Sequence, residues 1–463
     1  MKYKIQISLL ALFISLSGQA QVTNYKEIEG QWLVKLNSND IGTVYTVLDF
    51  ETDDKSFKAY TRRGADRDIL GFWKSSLARV FTNDFKKGSL IRITDGNISK
   101  RGDTLILAAI FRSAIGSYYF NGEIINQRLN AVLRDRNKKV RGTIVGDKVA
   151  TIKFPLNDYL KIVTEAIDTA ENKIYNRNEL ESKEWGEFEK IIKKKSKRHV
   201  DDVELVFAFY YFASKLPFSH FNLTRIEEDT TKTSLNSENN NLFLEEKNPT
   251  TALLTIKSFA GTAEEVDSVF SIILEKDYSN LIVDLRNNPG GSVEAGMTFA
   301  SKVIDSTLIG GYFLTQKWFN ENDNLPNEIE LSDFSVFSEA NYDLIIDGIH
   351  KERGLLLKVK PAEESFKGEL FIITNERTGS TAEPIVHGLK LVERATIVGE
   401  TTAGAMLNGE RFDLESGFSV FVPTADYYTL DGYRIDQSGV EPHIKPDDKD
   451  PIKYILGHLI AEN

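Results

Sequence analysis

The spacing of apolar residues changes period twice along the chain, and each change predicts a different kind of structure. Between residues 22 and 154, short runs alternate apolar with polar side chains and are rich in β-branched and aromatic residues. They cover residues 43–50, 104–111, 117–125, 129–134 and 140–145, with turn residues between them. Alternation with a period of two buries every second side chain, so these runs predict the strands of a small antiparallel barrel or sandwich. From Leu156 the spacing becomes three and four, which puts Leu160, Val163, Ile167, Ala170 and Ile174 on one face of a helix. Further helices are expected over 185–194 and 203–216, the second stopped by Pro217, which has no N–H to continue the ladder.

The third period runs from Ala252 to about Pro446, where strands and helices alternate. Residues 253–259 predict a strand, 262–275 a helix, 281–285 a second strand and 370–374 a third, the order that gives a parallel or mixed sheet covered by helices. Residues 311–367 interrupt the alternation and carry Tyr312, Phe313, Trp318 and Phe319, which suit either a substrate groove or a core. The expected organisation is therefore a multidomain α/β chain: a β-rich domain over 22–155, a helical segment over 156–225, a polar loop or linker over 226–250 and an α/β core over 251–463 ending in a helix. The polar stretch is too short to hold another small domain.

Composition narrows the chemistry. The chain has no cysteine, which excludes disulfides, thiolate metal sites and thiol catalysis. Residues 1–20 have the form of a cleaved export signal: Lys2 and Lys4, an apolar run over 5–16, then Ser17, Gly18 and Ala20 as small residues at a cleavage point near Gln21. A periplasmic or extracellular protein with no stable membrane anchor is expected, because the run is short for a bilayer and no cysteine is present to carry lipid. The net charge is −11 and becomes −13 without the two leader lysines, which argues against nucleic acid or an anionic membrane as partner. No metal-ligand spacing, phosphate loop or dinucleotide fingerprint occurs, so no cofactor or metal is implied.

Two strand-to-helix turns in the third region carry candidate chemistry. After residues 281–285 the chain reads Arg286, Asn287, Asn288, Pro289, Gly290, Gly291, and a glycine pair there lets backbone N–H groups converge on a developing oxyanion. A plain tight turn explains the same residues. After residues 370–374 comes Thr378, Gly379, Ser380, Thr381, Ala382, Glu383, leading into an apolar helix. Ser380 is placed as a nucleophile at a helix N-terminus. It is equally placed as a helix cap, with Glu383 completing a capping box.

The strings VDLRNNPGG, NERTGSTAE and RATIVGETTAG, in this order, resemble those of the tail-specific, or carboxy-terminal processing, proteases and the tricorn-core serine peptidases, whose core is similar to the ClpP and crotonase fold. The resemblance covers roughly residues 252–446 and the helical segment before them. It implies Ser380 as nucleophile, with the Thr381 N–H and a glycine of the Gly290 and Gly291 pair as oxyanion hole. One branch of the family pairs the serine with a lysine, but Ala405 stands at that position here. The tricorn branch uses a histidine preceded by serine, which implies His220 as general base and Ser219 as its partner. The branch's acidic residue lies just before a Gly-Val-x-Pro string, here Gly439 to Pro442, which implies Asp436, with Glu441 as the alternative. The resemblance thus implies peptide-bond hydrolysis. A peptide-binding pseudo-enzyme is the alternative reading. Gly30, Gln31 and Trp32 also resemble the opening of lipocalin-like barrels, which adds a third reading, an apolar ligand carried in the N-terminal barrel.

Overall fold

The computed structural model describes residues 25–38, 41–71, 74–75, 88–114, 116–226, 241–339, 341–447 and 450–460. The export signal expected over residues 1–20 lies outside them.

Eight strands form the N-terminal unit: β1 (Gly30–Ser38), β2 (Gly42–Asp53), β3 (Ser56–Tyr60), β4 (Ile91–Arg101), β5 (Thr104–Ser113), β6 (Gly116–Ile125), β7 (Arg128–Arg134) and β8 (Val140–Lys148). Each pairs antiparallel with the next and β8 returns to β1, so the unit is a closed up-and-down barrel. Trp32 is fully buried at its floor and donates Nε1–H to Ile28 O at 2.9 Å. Inside, Trp32, Phe50, Phe57 and Phe120 follow one another with ring centroids 5.6, 5.8 and 6.3 Å apart, so aromatic side chains pack the interior.

A short helix, α1 (Ala65–Leu70), sits within the barrel sequence, and three longer ones follow it: α2 (Tyr159–Lys173), α3 (Lys183–Ser196) and α4 (Asp202–Ala213). The packing break expected at Leu156 is absent, since one continuous hydrophobic cluster runs from Trp32 and Phe50 through Ile162, Phe188 and Phe209 to Phe418 and Val420. Polar groups cross the same seam. The buried Asp202 carboxylate accepts from Tyr45 N, Asn157 Nδ2, the Tyr159 hydroxyl and Arg225, all within 3.0 Å. Arg62 of the barrel pairs with the buried Glu204 at 2.6 Å. A strand, β9 (Asn222–Arg225), then joins the barrel sheet to the core.

In the core, β10 (Leu242–Asn248), β11 (Thr251–Ile256), β12 (Asn280–Asp284), β16 (Glu369–Thr374) and β17 (Thr396–Gly399) form one sheet in that order, parallel except for β10. The stretch expected as a polar loop thus contains a strand. Leu242 is buried while Phe243 points out, an alternation that the neighbouring Glu, Lys and Asn residues obscure. Helices α5 (Ala263–Glu275), α6 (Val293–Val303) and α7 (Ala382–Leu391) share a hydrophobic cluster with one face of this sheet. The other face packs against the C-terminal residues around Ile455. Strands β13 (Leu308–Thr315), β14 (Ser335–Phe337), β15 (Gly354–Val359), β18 (Leu407–Asp413) and β19 (Phe418–Tyr428) extend the barrel sheet through β9. Tyr312, Phe313 and Trp318 are buried core residues.

Candidate active site

Strands β12 and β16 are parallel neighbours, with Asp284 opposite Ile373, so the turns that leave their carboxyl ends emerge side by side. Long-range bonds then lace the turns together. Gly379 N donates to Asn288 O at 2.9 Å, the Thr378 hydroxyl to Leu285 O at 2.8 Å, and the Thr381 hydroxyl to Gly291 O at 2.8 Å. The approach is close enough that a Cβ on Gly290 would lie 2.6 Å from Ser380 Cβ and 2.9 Å from Thr381 N, and Gly290 has φ +91°. Only glycine fits there.

Ser380 has φ +53°, a left-handed conformation rare for a side-chain-bearing residue and concentrated at functional sites. Helix α7 begins after Thr381, and no side chain caps it. The capping arrangement expected from sequence is thus half present: Glu383 Oε2 accepts the Ser380 N–H at 3.0 Å, but the Ser380 hydroxyl has no hydrogen-bond partner among the described residues. Glu383 is fully buried. Burial pushes its carboxyl above the usual range, and the bonds it accepts from the Thr402 hydroxyl, Ala405 N, Gly404 N and Ser380 N pull the other way. It clamps the Ser380 turn to the loop after β17. A capping pattern in the sequence pointed to the Ser380 bond and to nothing else in this set.

That loop leads to the second half of the site. Ala403 N donates to Thr378 O at 2.8 Å, and Gln437 N to Gly404 O at 2.7 Å. Ala405, at the family's lysine position, offers only its N–H to Glu383. Asp436 lies beyond, fully buried, and accepts the Ser219 hydroxyl at 2.6 Å, Ser219 N at 3.2 Å and Met406 N at 3.2 Å. Ser219 Oγ is in turn 2.6 Å from His220 Nδ1. The single hydroxyl proton of Ser219 goes to the carboxylate, so Ser219 Oγ accepts from Nδ1–H and the proton-free lone pair is on Nε2. Burial holds the His220 pKa below its ordinary value, partly offset by Asp436. His220 itself has φ +60°.

The structure therefore joins Asp436, Ser219 and His220 in one hydrogen-bonded chain and sets Ser380 beside Gly290 in the facing turn. Gly379 and Ala403 bridge the two, with 3.3 Å between Ala403 Cβ and a Cβ built on Gly379. Among the described contacts, no hydrogen bond joins Ser380 Oγ to His220. Such bonds are commonly long before substrate binds. Glu441 is not in the chain; its carboxylate is exposed near Lys445. Lys390 donates to Glu441 O. The other histidines lie elsewhere: His350 on Glu410, His387 stacked on Tyr433, His443 on Ile397 N, His458 against Tyr454, and His199 buried beside Tyr159 with neither ring nitrogen hydrogen-bonded among the described residues. Of the glycine pair, the Gly290 N–H is donated to Asn288 Oδ1 at 2.8 Å, while Gly291 N and Thr381 N make no hydrogen bond among the described residues.

Two concave surfaces flank the turns. A small pocket of about 70 Å³ opens next to Thr381, lined by apolar side chains including Met297, Ala300, Phe313 and Ile385. A larger cleft of about 930 Å³ contains Ser219, His220 and the loop 403–405.

The sequence of this region is similar to that of known proteins. Residues 250–446 match the model of peptidase family S41. A carboxyl-terminal-processing protease of Synechocystis is 27% identical over 191 residues, 41% of this chain and 36% of that protein. The carboxy-terminal processing protease CtpA of Bacillus subtilis is 26% identical over 210 residues, 45% and 37% of the two chains. The matched part thus spans about a third of the length of these relatives. Among solved structures, tricorn protease is similar with a TM-score of 0.43 at 11% identity, covering 92% of this chain and 54% of that one. The photosystem II D1 C-terminal processing protease gives 0.38 at 15%, covering 65% and 98%. The residues that match peptidase family S41, 250–446, contain both laced turns and Asp436.

Proposed function

We propose that the chain is an exported serine peptidase in which Ser380 is the nucleophile and His220 the general base, oriented by Ser219 and Asp436. The observation that carries this reading is the unbroken chain Asp436, Ser219, His220, linked through residues 403–406 to the strained turn whose serine hydroxyl has no hydrogen-bond partner among the described residues. A serine hydroxyl is too weak an acid to attack a peptide carbonyl unaided. His220 Nε2 takes its proton as Oγ adds to the carbonyl carbon, and the imidazolium is stabilised through Ser219 by the Asp436 charge. The oxyanion is received by the N–H groups of Thr381 and Gly291, with Gly290 permitting the close approach of the two turns. His220 then returns the proton to the leaving amine, and water releases the acyl group by the same path in reverse.

The substrate is a peptide or protein. The pocket beside Thr381 holds roughly five water-sized groups, enough for a branched aliphatic side chain of the residue whose carbonyl is attacked. Export rests on the basic, apolar and small-residue order of residues 1–20. Among the described residues no helix is long and apolar enough to cross a membrane. The carrier reading draws no support from the aromatic packing inside the barrel. A fluorophosphonate probe tests the proposal: it should label the intact protein and not Ser380→Ala, and equal labelling of both, or of neither, refutes an activated Ser380. Digestion of a peptide library then reads the residue on the acyl side of the cut.

A further inference from the structure

The larger cleft is not bounded by the peptidase domain alone. Ser219, His220 and residues 403–405 form one end of it. Helix α4, with Phe207 and Tyr210, forms a side, and the far wall is the barrel itself, through Ile41 in the turn between β1 and β2 and Ala114 in the turn between β5 and β6. Hairpin turns after odd-numbered strands of an up-and-down barrel lie at one end, so both residues belong to the same rim. Although 27% of the chain is charged, none of the described residues that line this cleft is Asp, Glu, Lys or Arg. Tyr210 is 66% exposed, an aromatic ring standing in the opening. Past Ala114, Phe207 and Tyr210 a second cavity of about 150 Å³ continues toward Ile69, Leu70 and Leu90, apolar apart from Asp66.

We propose that this cleft, with the barrel rim as its far wall, holds the part of a polypeptide substrate that lies C-terminal to the scissile bond, as an extended run of uncharged, largely apolar residues. The inference rests on the catalytic reading above and deepens it. The side of the bond follows from the chemistry: the base that removes the serine proton delivers it to the leaving amine, so the chain beginning with that amine lies against His220. His220 lines this cleft, whereas the pocket beside Thr381 lies on the oxyanion side and takes the acyl half. Uncharged walls select uncharged occupants because a charged side chain would lose hydration there without gaining a partner. Tyr210 and Phe207 offer large, stiff apolar area of the kind that dominates recognition surfaces. The barrel thus takes part in substrate binding directly.

The test uses the full chain and three substrates sharing one acyl half chosen by library digestion. One carries a chromogenic anilide leaving group, one is extended past the scissile bond by six uncharged residues, and one has the same extension with Asp and Lys interspersed. In the wild type the uncharged extension should lower KM relative to the anilide and the charged one should not. Tyr210→Glu should raise KM for the uncharged extension about tenfold, a typical effect for an aromatic contact, with kcat and anilide turnover unchanged. Ala114→Arg, at an exposed turn of the barrel, should do the same. Anilide turnover with no KM advantage for the extension, equal use of the charged extension, or an equal effect of Tyr210→Glu on all three substrates overturns the inference and leaves the catalytic reading standing. Absence of both turnover and fluorophosphonate labelling overturns the two together.

Discussion

The two turns that meet at the site belong to different hydrophobic cores. Ser380 is followed by Ala382, Ile385 and Val386, which are packed in the cluster shared by the core sheet and its helices. Ser219 and His220 are flanked by Phe218 and Phe221, which are packed in the cluster that fills the barrel and helices α2 to α4. Ser380, the proposed nucleophile, is positioned within its own unit by the Gly290 approach, the laced backbone and the four donors of Glu383. His220, the proposed base, belongs to the other unit and is oriented through Ser219, which Asp436 reaches from residues 250–446. Placement of the serine is therefore local to one domain, whereas placement of the imidazole depends on how two cores register. The N-terminal region is thus expected to matter for activity even where it touches no substrate.

The largest effect tests whether the two halves work as one device. Ser380→Ala should lower turnover by roughly a thousandfold or more with the fold intact. His220→Ala should cost nearly as much, and the double variant hardly more, because the losses of a coupled unit do not add. Ser219→Ala should cost less, since Ser219 orients the ring without transferring the substrate proton, and Glu441→Gln, outside the hydrogen-bonded chain, should leave turnover unchanged. Wild-type turnover in His220→Ala, together with its loss on mutation of Lys390, would return the site to a lysine base.

Next comes the seam. Asp202→Ala leaves Arg225, the Tyr159 hydroxyl, Asn157 and Tyr45 N without their shared buried acceptor, and is expected to destabilise by about 3 kcal/mol. Because the barrel and helices share one cluster, the loss should appear as a lower midpoint of a single transition for that whole unit in thermal denaturation. A chain starting at Leu156, the boundary expected from the change of period, exposes the buried faces of α2 and α4 and should be insoluble. Soluble, cooperatively folding protein from that start would separate the units that the shared cluster joins.

Gly290→Ala acts on the nucleophile side alone. The added Cβ meets Ser380 Cβ at 2.6 Å and Gly379 O at 2.9 Å, so the turns must part, and a displacement near 1 Å at reacting groups costs about a hundredfold. Stability should change far less than turnover, and an active Gly290→Ala would show that this approach is not needed.

What the sequence made legible follows the range of the interactions. Period two over residues 104–145 and period 3.6 over 160–174 are local, and β5 to β8 and α2 stand where they were expected. Strands β1, β3 and β4 were not among the expected runs although Val34 to Asn37 and Ile91 to Thr94 alternate, and β10 was hidden by its polar exposed face. At the site, Ser380, Ser219, His220 and Asp436 came from family strings, and the structure brings the last three together. Glu383 was visible only as a capping residue because three of its four donors lie some twenty residues away in the chain. The barrel's wall on the cleft was invisible, since Ile41 and Ala114 acquire meaning only when the barrel closes against α4. Nor did the change of period at Leu156 reveal that α2 would share its core with the strands before it.

The smallest expected effect is a shift along the pH axis, and it isolates what Asp436 contributes to His220. Only neutral imidazole accepts the serine proton, so turnover should fall as pH drops through the His220 pKa. Desolvation lowers that pKa, which places the fall below the ordinary histidine value of 6.5. The Asp436 charge, from the peptidase domain, acts in the opposite direction by favouring the imidazolium. Asp436→Asn removes that charge and keeps the shape. The plateau of activity should then drop, because the imidazolium formed in the reaction loses its stabilisation, while the acid fall moves to still lower pH. A residue that served only to hold the fold would lower activity without moving the profile in that direction. Turnover of the anilide substrate by wild type and Asp436→Asn across pH 4 to 9 reads both quantities. A fall that stays in place or moves upward would remove Asp436 from the relay, and one centred well above neutrality in the wild type would exclude His220 as the base.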